Sequence, residues 1–284
     1  MGKKRKREIE LVVLSDIHLG TYGCHAEELL RYLKSVKIKK LVLNGDIIDM
    51  WQFNKRYWPA SHMQVVKHIT SLLTRNTKIV YLTGNHDEML RKFAGFKLGS
   101  FKIDNKIVLT LNHKKAWIFH GDVFDVTMQH SKWLAKLGAI GYDTLILINT
   151  FVNWLLLKLG KEKISLSKRV KDSVKSAVKF INDFEKTASD IAIENGYQYV
   201  VCGHIHQPEI RTIANEKGEV VYLNSGDWIE NLTSLEYHQG EWRIYRYAED
   251  RVAQSMKLPK RFSDDKNNDE LFQDMVSEFL NVKR

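Results

Sequence analysis

The chain of 284 residues has only two cysteines, Cys24 and Cys202, with no paired spacing. This excludes a disulfide framework and a thiolate metal site, so we expect a reducing compartment. Internal repeats and low-complexity tracts are also lacking. The length therefore suits one large domain, or one domain with a sizeable insertion.

Long uninterrupted hydrophobic runs are lacking as well. The amino terminus, residues 1–7, is basic and has no apolar core of the kind that a signal peptide requires. The most apolar stretch, residues 133–159, contains several polar interruptions: Lys136, Asp143, Asn149, Asn153 and Lys158. These argue against a membrane-spanning helix, and we expect a cytoplasmic protein.

Positive charge is abundant. The formal net charge is +10, with 44 Lys and Arg against 34 Asp and Glu. Such a balance favours anionic partners, namely phosphate esters, nucleic acid or an anionic membrane, and does not choose among them. The basic tail, residues 1–8, is interpreted either as solvated or as a contact for a membrane or for nucleic acid.

A short apolar run, residues 11–14, ends abruptly at Asp16 and His18. The run is typical of a buried strand, and residues two apart at its end point the same way. Four more apolar runs are followed by similar polar residues: Asn44-Gly45-Asp46-Ile47-Ile48-Asp49, Gly84-Asn85-His86-Asp87, His120-Gly121-Asp122 and Gly203-His204-Ile205-His206. Because ligands of α/β sheets bind beyond the carboxyl ends of strands, we expect these residues to converge on one site.

The polar residues at the five strand ends include more ligands than one tetrahedral ion can use. We therefore predict two metal ions that share the carboxylate of Asp46. One ion is assigned to Asp16, His18, Asp46 and His206, and the other to Asp46, Asn85, His120 and His204. Oxygen and nitrogen donors without sulfur suit manganese, with iron and zinc as alternatives.

Two adjacent divalent ions activate a water and stabilise negative charge on phosphorus, which predicts in-line phosphoryl hydrolysis. His86 is the candidate that protonates the leaving group or holds a phosphoryl oxygen. Asp87 is predicted to orient His86 or to stabilise its cation. Asp49 and Asp122 are candidate outer partners of the histidine ligands.

The strand and helix patterns predict a parallel sheet built from strand–helix–strand units. Helices are predicted over Ala26–Ser35 and Gln64–Arg75, and an antiparallel pair over Phe101–His113 with its turn at Asp104–Asn105. Closing strands are expected near the carboxyl end of a domain covering residues 9–248. Residues 249–284 form a charged tail, with an amphipathic helix predicted over Glu270–Val282.

Residues 126–195 form a helical insertion, apolar at first and then strongly basic over Lys161–Lys179; its last helix, Thr187–Asn195, ends at Gly196. This composition suits a membrane-interface lid, and the alternative is an ordinary helical insertion packed on the core. The aromatic and basic loop after Asp49 either packs or forms a wall of the substrate pocket. Candidate substrate contacts in these two segments are Trp51, Arg56, Lys161, Lys163 and Lys168.

Together the five motifs resemble those of the calcineurin-like metallophosphoesterases over residues 10–247. The resemblance implies an α/β sandwich of two mixed β sheets flanked by helices, here with a helical cap insertion, and a dinuclear site at one edge.

Within that superfamily the layout looks most like the UDP-2,3-diacylglucosamine pyrophosphatases of the lipid A pathway. The shared features are His120-Gly121-Asp122, the insertion, and Gly203-His204-Ile205-His206-Gln207-Pro208. The resemblance implies a UDP-linked lipid substrate, with lipid X and UMP as products, and peripheral contact with the inner face of the inner membrane.

Three positions depart from that pattern. The family has Arg at the position of His86, and Thr and Arg at the positions of Ile205 and Gln207. The histidine version is the commoner one in general phosphodiesterases and phosphatases. A general metallophosphoesterase, including a nuclease, is therefore the alternative.

Overall fold

The computed structural model describes residues 6–50, 58–124 and 166–258, with the backbone alone given for residues 166–177. By its internal contacts the chain divides into two compact units. The first joins residues 1–121 to residues 189–284, and the second spans residues 122–188. Within the described ranges, no helix has both the length and the apolar character needed to cross a membrane.

A mixed sheet of seven strands forms one layer of the first unit, in the order β12-β11-β1-β2-β3-β5-β4. Strands β1, β2, β3 and β5 run parallel, whereas β4, β11 and β12 pair antiparallel with their neighbours. The strand bounds are β1 Arg7–Leu14, β2 Val36–Asn44, β3 Lys78–Leu82, β4 Lys97–Leu98, β5 Phe101–Asp104, β11 Thr233–His238 and β12 Glu241–Arg246.

A second mixed sheet has five strands in the order β6-β7-β8-β10-β9. Its central pairs, β7 with β8 and β8 with β10, are parallel, and both edge pairs are antiparallel. The strand bounds are β6 Lys106–Leu111, β7 Lys114–Phe119, β8 Tyr199–Cys202, β9 Glu209–Asn215 and β10 Gly218–Asn224. The prediction of two mixed sheets with flanking helices is confirmed.

The four helices are α1 Ala26–Ser35, α2 Ala60–Leu73, α3 Leu166–Glu194 and α4 Arg251–Gln254 within the described ranges, with 3-10 turns at Glu88–Phe93, Asp122–Phe124 and Tyr247–Glu249. Helix α1 has the predicted bounds. Its leucines Leu29, Leu30 and Leu33 are fully buried. Burying one leucine side chain contributes about 1.5–3 kcal/mol, so this face anchors the helix to the sheet.

Strand β1 divides its side chains between two cores, because successive side chains of a strand point to opposite faces. Val12 and Leu14 belong to the core beneath the helices. Leu11 and Val13 belong to the core between the sheets, where they share a cluster with Val201 and other residues of the second sheet. Burial on both faces explains the uninterrupted apolar run in the sequence.

The predicted antiparallel pair over Phe101–His113 is wrong. Strand β5 joins the seven-stranded sheet beside β3, whereas β6 joins the other sheet beside β7. The chain changes sheets at Asn105, and strand alternation is the same for either partner. The hairpin turn is instead Asn112–His113, whose φ values of 45° and 64° suit the tight turns of two-residue hairpins.

Two helix predictions also needed correction. Helix α2 begins at Ala60, directly after Pro59, rather than at Gln64, since proline favours a helix start and the buried His62 masks the apolar pattern of the first turn. The predicted helix Thr187–Asn195 is the last part of the longer helix α3. Gly196 follows it with a φ of 67°, as expected for a helix end.

Candidate functional site

The five strand ends singled out in the sequence meet at one edge of the first unit. Strands β1, β2 and β3 of the larger sheet precede Asp16, His18, Asp46, Asn85 and His86, and strands β7 and β8 of the smaller sheet precede His120, His204 and His206. Backbone hydrogen bonds fasten the ends together, with Asp16 N donating to Gly45 O at 3.1 Å and Gly203 N to His120 O at 2.9 Å. His204 N donates to Asp16 Oδ2 at 3.0 Å and so links the two sheets.

Five of these residues have a left-handed backbone, with φ values of 52° to 69°: Asp16, His18, Asp46, His204 and His206. Such φ values are uncommon outside glycine and cost about 1 kcal/mol or more each. Strand-end contacts hold the turns, including the hydrogen bonds from Ile17 N and His18 N to Asp46 O at 3.0 and 2.9 Å. These turns therefore lower the conformational stability of the fold, and they direct the five side chains toward the same region.

The side chains form three overlapping clusters of ligand-type atoms, one of which joins His18 and Asp46 to His86. Asp16, His18 and His206 place one such atom each within 4.8 Å of one another, as do Asp46, His120 and His204. Asp46 Oδ2 lies 3.2 Å from His120 Nε2 and 4.0 Å from His18 Nε2. Asp46 is therefore placed between His18 of one cluster and His120 of another.

The donor atoms suit divalent cations. Two ligand-type atoms, His18 Nε2 and Asn85 Oδ1, are buried and make no hydrogen bond with any residue that the structure describes. Burying such atoms without a partner is costly, and a cation would satisfy their lone pairs. All the donors are carboxylate or amide oxygens and imidazole nitrogens, which suits manganese, iron or zinc.

Outer contacts fix the orientation of the histidine rings. His120 Nδ1 lies 2.8 Å from the backbone oxygen of Asn44. His18 Nδ1 lies 3.4 Å from Asp49 Oδ2. A ring that donates from Nδ1 presents the lone pair of Nε2, the form that binds a metal.

Asp227 was not predicted as a site residue. Its carboxylate is fully buried, and Oδ2 lies 3.9 Å from His206 Nδ1. Backbone amides of the next residues, including Ile229 N at 2.8 Å, hold the other oxygen. The signal was available, because Asn224-Ser225-Gly226-Asp227 follows strand β10 just as the other motifs follow their strands.

His86 lies beside the first cluster, with its ring centroid 4.6 Å from that of His18. Its Nδ1 lies 2.9 Å from Asp49 Oδ2. The carboxylate of Asp87, predicted to orient His86, instead accepts hydrogen bonds from Gly84 N, Ile47 N and the Tyr81 hydroxyl at 2.6, 3.0 and 2.6 Å. Asp49 is thus the carboxylate that contacts the ring, and Asp87 holds the loop together.

Three glycines of the motifs are required by close packing. A Cβ at Gly45, whose φ is 80°, would collide with the ring of His120. A Cβ at Gly84 would collide with Asp46 Oδ1, and one at Gly203 would lie 2.7 Å from Asp16 Oδ2. The glycines are therefore part of the site, since only a hydrogen atom fits beside the candidate ligands.

The charges of neighbouring residues in the cluster oppose the effect of burial on the pKa values of Asp16, Asp46 and His206. Burial raises the pKa of Asp16, but the neighbouring His206 and His120 outweigh it and lower that pKa to about 2. Burial lowers the pKa of His206, and Asp16 outweighs it and raises the pKa to about 9. Asp46 behaves like Asp16, with His120 holding its pKa well below the ordinary range.

The structure describes none of the remaining predicted site residues as part of this cluster. Asp122 begins a 3-10 turn of the second unit and is partly exposed. Trp51, Arg56, Lys161 and Lys163 lie outside the described residues, and Lys168 belongs to the part of helix α3 described by its backbone alone. Their roles remain predictions.

Comparison with known proteins agrees with the motifs. Residues 9–208 match the family model described as calcineurin-like phosphoesterase, and that range includes all seven candidate ligands. Two curated proteins named UDP-2,3-diacylglucosamine hydrolase are similar to the chain. The one from Blochmanniella pennsylvanica is 26% identical over 75% of this chain and 85% of its own length. The one from Aliivibrio fischeri is 21% identical over 83% of this chain and 98% of its own length.

Among solved structures, one described as a novel archaeal phosphodiesterase is 13% identical. It covers 83% of this chain and 98% of its own, with a TM-score of 0.41. The match to the family model extends over more than half of the sequence and contains the whole cluster of candidate ligands. The chain belongs to the calcineurin-like phosphoesterase family.

Proposed function

We propose that this protein is a dinuclear-metal phosphohydrolase that cleaves the pyrophosphate of UDP-2,3-diacylglucosamine to 2,3-diacylglucosamine 1-phosphate (lipid X) and UMP. The observation that carries the proposal is the pair of ligand clusters that meet at Asp46. The substrate is inferred from the relatives named UDP-2,3-diacylglucosamine hydrolase, which the chain matches over 85% and 98% of their lengths.

We assign Asp16, His18, Asp46 and His206 to one ion, and Asp46, Asn85, His120 and His204 to the other. Asp46 would be the ligand shared by the two ions, because its Oδ2 lies within 4.0 Å of the Nε2 atoms of His18 and His120. When bound, a pair of divalent ions, here proposed to be manganese, lowers the pKa of a water and stabilises negative charge on a phosphoryl group. Asp49 and Asp227 orient the ligands His18 and His206.

The chain's own acid is His86. Asp49 contacts its Nδ1, so Nε2 is the atom that donates a hydrogen bond or a proton to the substrate. Burial lowers the pKa of His86, but the hydrogen bond to Asp49 and the nearby carboxylates outweigh it and raise the pKa above its ordinary value. The protonated ring suits an anionic phosphoryl oxygen or a leaving oxygen. Asp87 keeps the loop that carries His86 in place.

The identity of His86 also favours a second candidate, a general phosphodiesterase or phosphatase. The leaving group of a pyrophosphate is a phosphate, which departs as an anion without a proton. The alcohol released from an ordinary phosphoester needs a proton, which histidine can supply and arginine cannot. A histidine at this position therefore fits phosphoesters at least as well as pyrophosphates.

For the lipid substrate we infer that residues 126–195 act as a cap for the acyl chains and that the protein works at the inner face of the inner membrane. The apolar and then basic composition of that insertion supports this inference. Most of the insertion lies outside the described residues.

The test compares manganese-dependent hydrolysis of UDP-2,3-diacylglucosamine and bis-p-nitrophenyl phosphate on one preparation. We expect strong preference for the lipid, with UMP as a product. Activity on the small diester alone would keep the dinuclear site and replace the lipid substrate by the second candidate. An Asp46→Asn preparation serves as the control for contaminating hydrolases.

A further inference from the structure

A basic cavity lies at the end of the larger sheet opposite to the candidate metal site. There the beginnings of strands β2 and β3, with the ends of helices α1 and α2, line a cavity of about 640 Å³. Lys40 lies on strand β2 four residues before the end of that strand at Asn44, roughly 13 Å at the rise of an extended strand, and Asp46 of the candidate metal site follows in the loop beyond. One small ligand therefore cannot occupy both places.

Six of the fourteen residues that line the cavity are lysine or arginine, and one is acidic. Five cations of its wall form no ion pair with any residue that the structure describes: Lys6, Lys39, Lys40, Arg75 and Lys78. Lys37 is paired with Glu8 at 2.8 Å. The single acidic residue of the described wall is Glu10, whose carboxylate instead accepts a hydrogen bond from Gln239 N at 3.1 Å.

The strand register places like charges side by side. Lys40 of β2 and Lys78 of β3 are direct partners in the parallel pair. Like charges opposite each other destabilise a sheet. Burial and the charge of Lys78 lower the pKa of Lys40, and burial and the charge of Arg75 lower that of Lys6.

The rest of the wall is neutral. Its floor includes the buried side chains of Leu33, Val36, Ile38 and Leu72. His68 also lines the cavity. Burial, together with the charges of Lys34, Lys6 and Arg75, lowers the pKa of His68 to about 4, so it adds no positive charge at neutral pH.

Further lysines line the surface next to this cavity. A neighbouring cavity of about 510 Å³ shares Lys40 and Lys78 and is also lined by Lys97 and Lys102. Lys102 is paired with Asp104 at 2.6 Å. Lys40 and Lys78 therefore stand at the centre of the basic surface.

We propose that this basic cavity binds a phosphate-bearing anion, supplied either free in solution or as a lipid headgroup. Lysines supply point charges for phosphate, and the guanidinium of Arg75 can donate two parallel hydrogen bonds to its oxygens. A multiply charged anion matches five unpaired cations better than a single carboxylate does. The proposal is independent of the hydrolase activity, because its residues are remote from the candidate metal ligands.

The test uses a matched pair of double variants that each remove two positive charges. Lys40→Gln with Lys78→Gln changes the cavity, whereas Lys106→Gln with Lys115→Gln changes exposed lysines of the other sheet. Equilibrium dialysis of the metal-loaded proteins against radiolabelled inorganic phosphate counts the bound anions. We expect the wild type and the control to bind one phosphate more per chain than the cavity variant.

A second arm identifies the source of the phosphate. Sedimentation with phosphatidylcholine vesicles, with and without phosphatidic acid, compares the same three proteins. If only the cavity variant loses binding to vesicles with phosphatidic acid, the site is assigned to a lipid headgroup. If the cavity variant differs from the other two proteins only in the dialysis experiment, the site is assigned to a free anion. Equal behaviour of the two double variants in both assays would overturn the proposal.

Two controls separate the outcomes. Hydrolysis of bis-p-nitrophenyl phosphate should be the same in all three proteins, so failure of the proposed enzymatic function would not be mistaken for failure of the anion site. Thermal unfolding without added anion should show that the cavity variant is folded and at least as stable as the control, because it removes a like-charge pair.

Discussion

His86 differs from the other histidines of the site in what its two nitrogen atoms can do. Nδ1 contacts Asp49, which leaves Nε2 for the substrate, and the side chain is 21% exposed. The candidate ligand His120, by contrast, has a fully buried side chain. His86 thus combines a partly exposed ring with a contacting carboxylate that favours its protonated form.

His86→Ala should therefore keep its metal ions and lose turnover by about 100-fold or more, the usual scale of general acid catalysis. Asp49→Asn should lower the pKa of His86, so that the alkaline fall in activity moves to lower pH. Metal analysis and pH–rate profiles of both variants provide the measurements. Unchanged turnover in His86→Ala would remove this residue from catalysis.

If His206 is a metal ligand as proposed, its titration should couple metal binding to proton release. Its pKa of about 9 in the metal-free protein means that the ring is protonated at neutral pH, whereas a ligating histidine must be neutral. Manganese binding should release about one proton at pH 7, and its apparent affinity should fall about tenfold for each unit that the pH is lowered. Calorimetric titration in two buffers of different ionisation enthalpy counts the proton. A buffer-independent heat would contradict the prediction.

At the scale of elements, the loops after the strands depend on close approach between their backbones. Gly84, at the end of β3, packs against Asp46 of the loop after β2, and the space for a Cβ is occupied by Asp46 itself. The geometry of one loop is thus set by its neighbour in the sheet.

Gly84→Ala should displace the Asp46 carboxylate and so weaken metal binding and abolish most activity, with strands β1 and β2 still paired. Gly23→Ala is the matched control, since its Cβ would meet only the Ile229 side chain at 3.1 Å. Metal content, activity and circular dichroism distinguish the two. Equal metal content and activity in both variants would show that the loop adapts.

Local sequence patterns correctly predicted those elements whose own residues show a clear apolar periodicity. Helix α1 was predicted with its observed bounds because its leucines repeat on one face and nothing interrupts them. The strand partners of β5 and β6 were not predicted correctly, because the alternation of apolar and polar residues in these strands is compatible with several partners. For β5 the partner is not the next strand but β3, where Ile79 pairs with Phe101 across an intervening 3-10 turn and β4.

At the scale of the whole molecule, the site exists only where two sheets meet, since His120, His204 and His206 follow strands of the smaller sheet. The individual candidate ligands could be predicted because each lies just after one of five apolar strands. The contact of Asp49 with His86 and that of Asp227 with His206 could not, because they join loops that are distant in sequence.

Stability should depend on pH through His62, which is buried. Burial lowers its pKa to about 4, and its Nδ1 accepts a hydrogen bond from Gly20 N at 2.9 Å. The unfolded chain binds a proton below about pH 6.5 that the folded protein takes up only near pH 4, so stability falls as the pH drops through this range. The loss for this one residue is at most about 1.4 kcal/mol per pH unit.

His62→Asn keeps an acceptor and removes the titration, so urea unfolding should show a shallower loss of stability on acidification than in the wild type. His25→Asn, at a side chain that is 46% exposed, is the control. The same pH dependence in all three proteins would rule out His62 as the source.

The central claim is that Asp46 joins two metal ions into one site. The most direct measurement is the metal content of purified wild type and Asp46→Asn, determined by mass spectrometry after manganese loading, on samples whose folding is checked by circular dichroism. We predict two ions per wild-type chain, and loss of both ions together with activity in the variant. A folded Asp46→Asn protein that keeps two ions and full activity, or a fully active wild type with a single ion, would contradict the account.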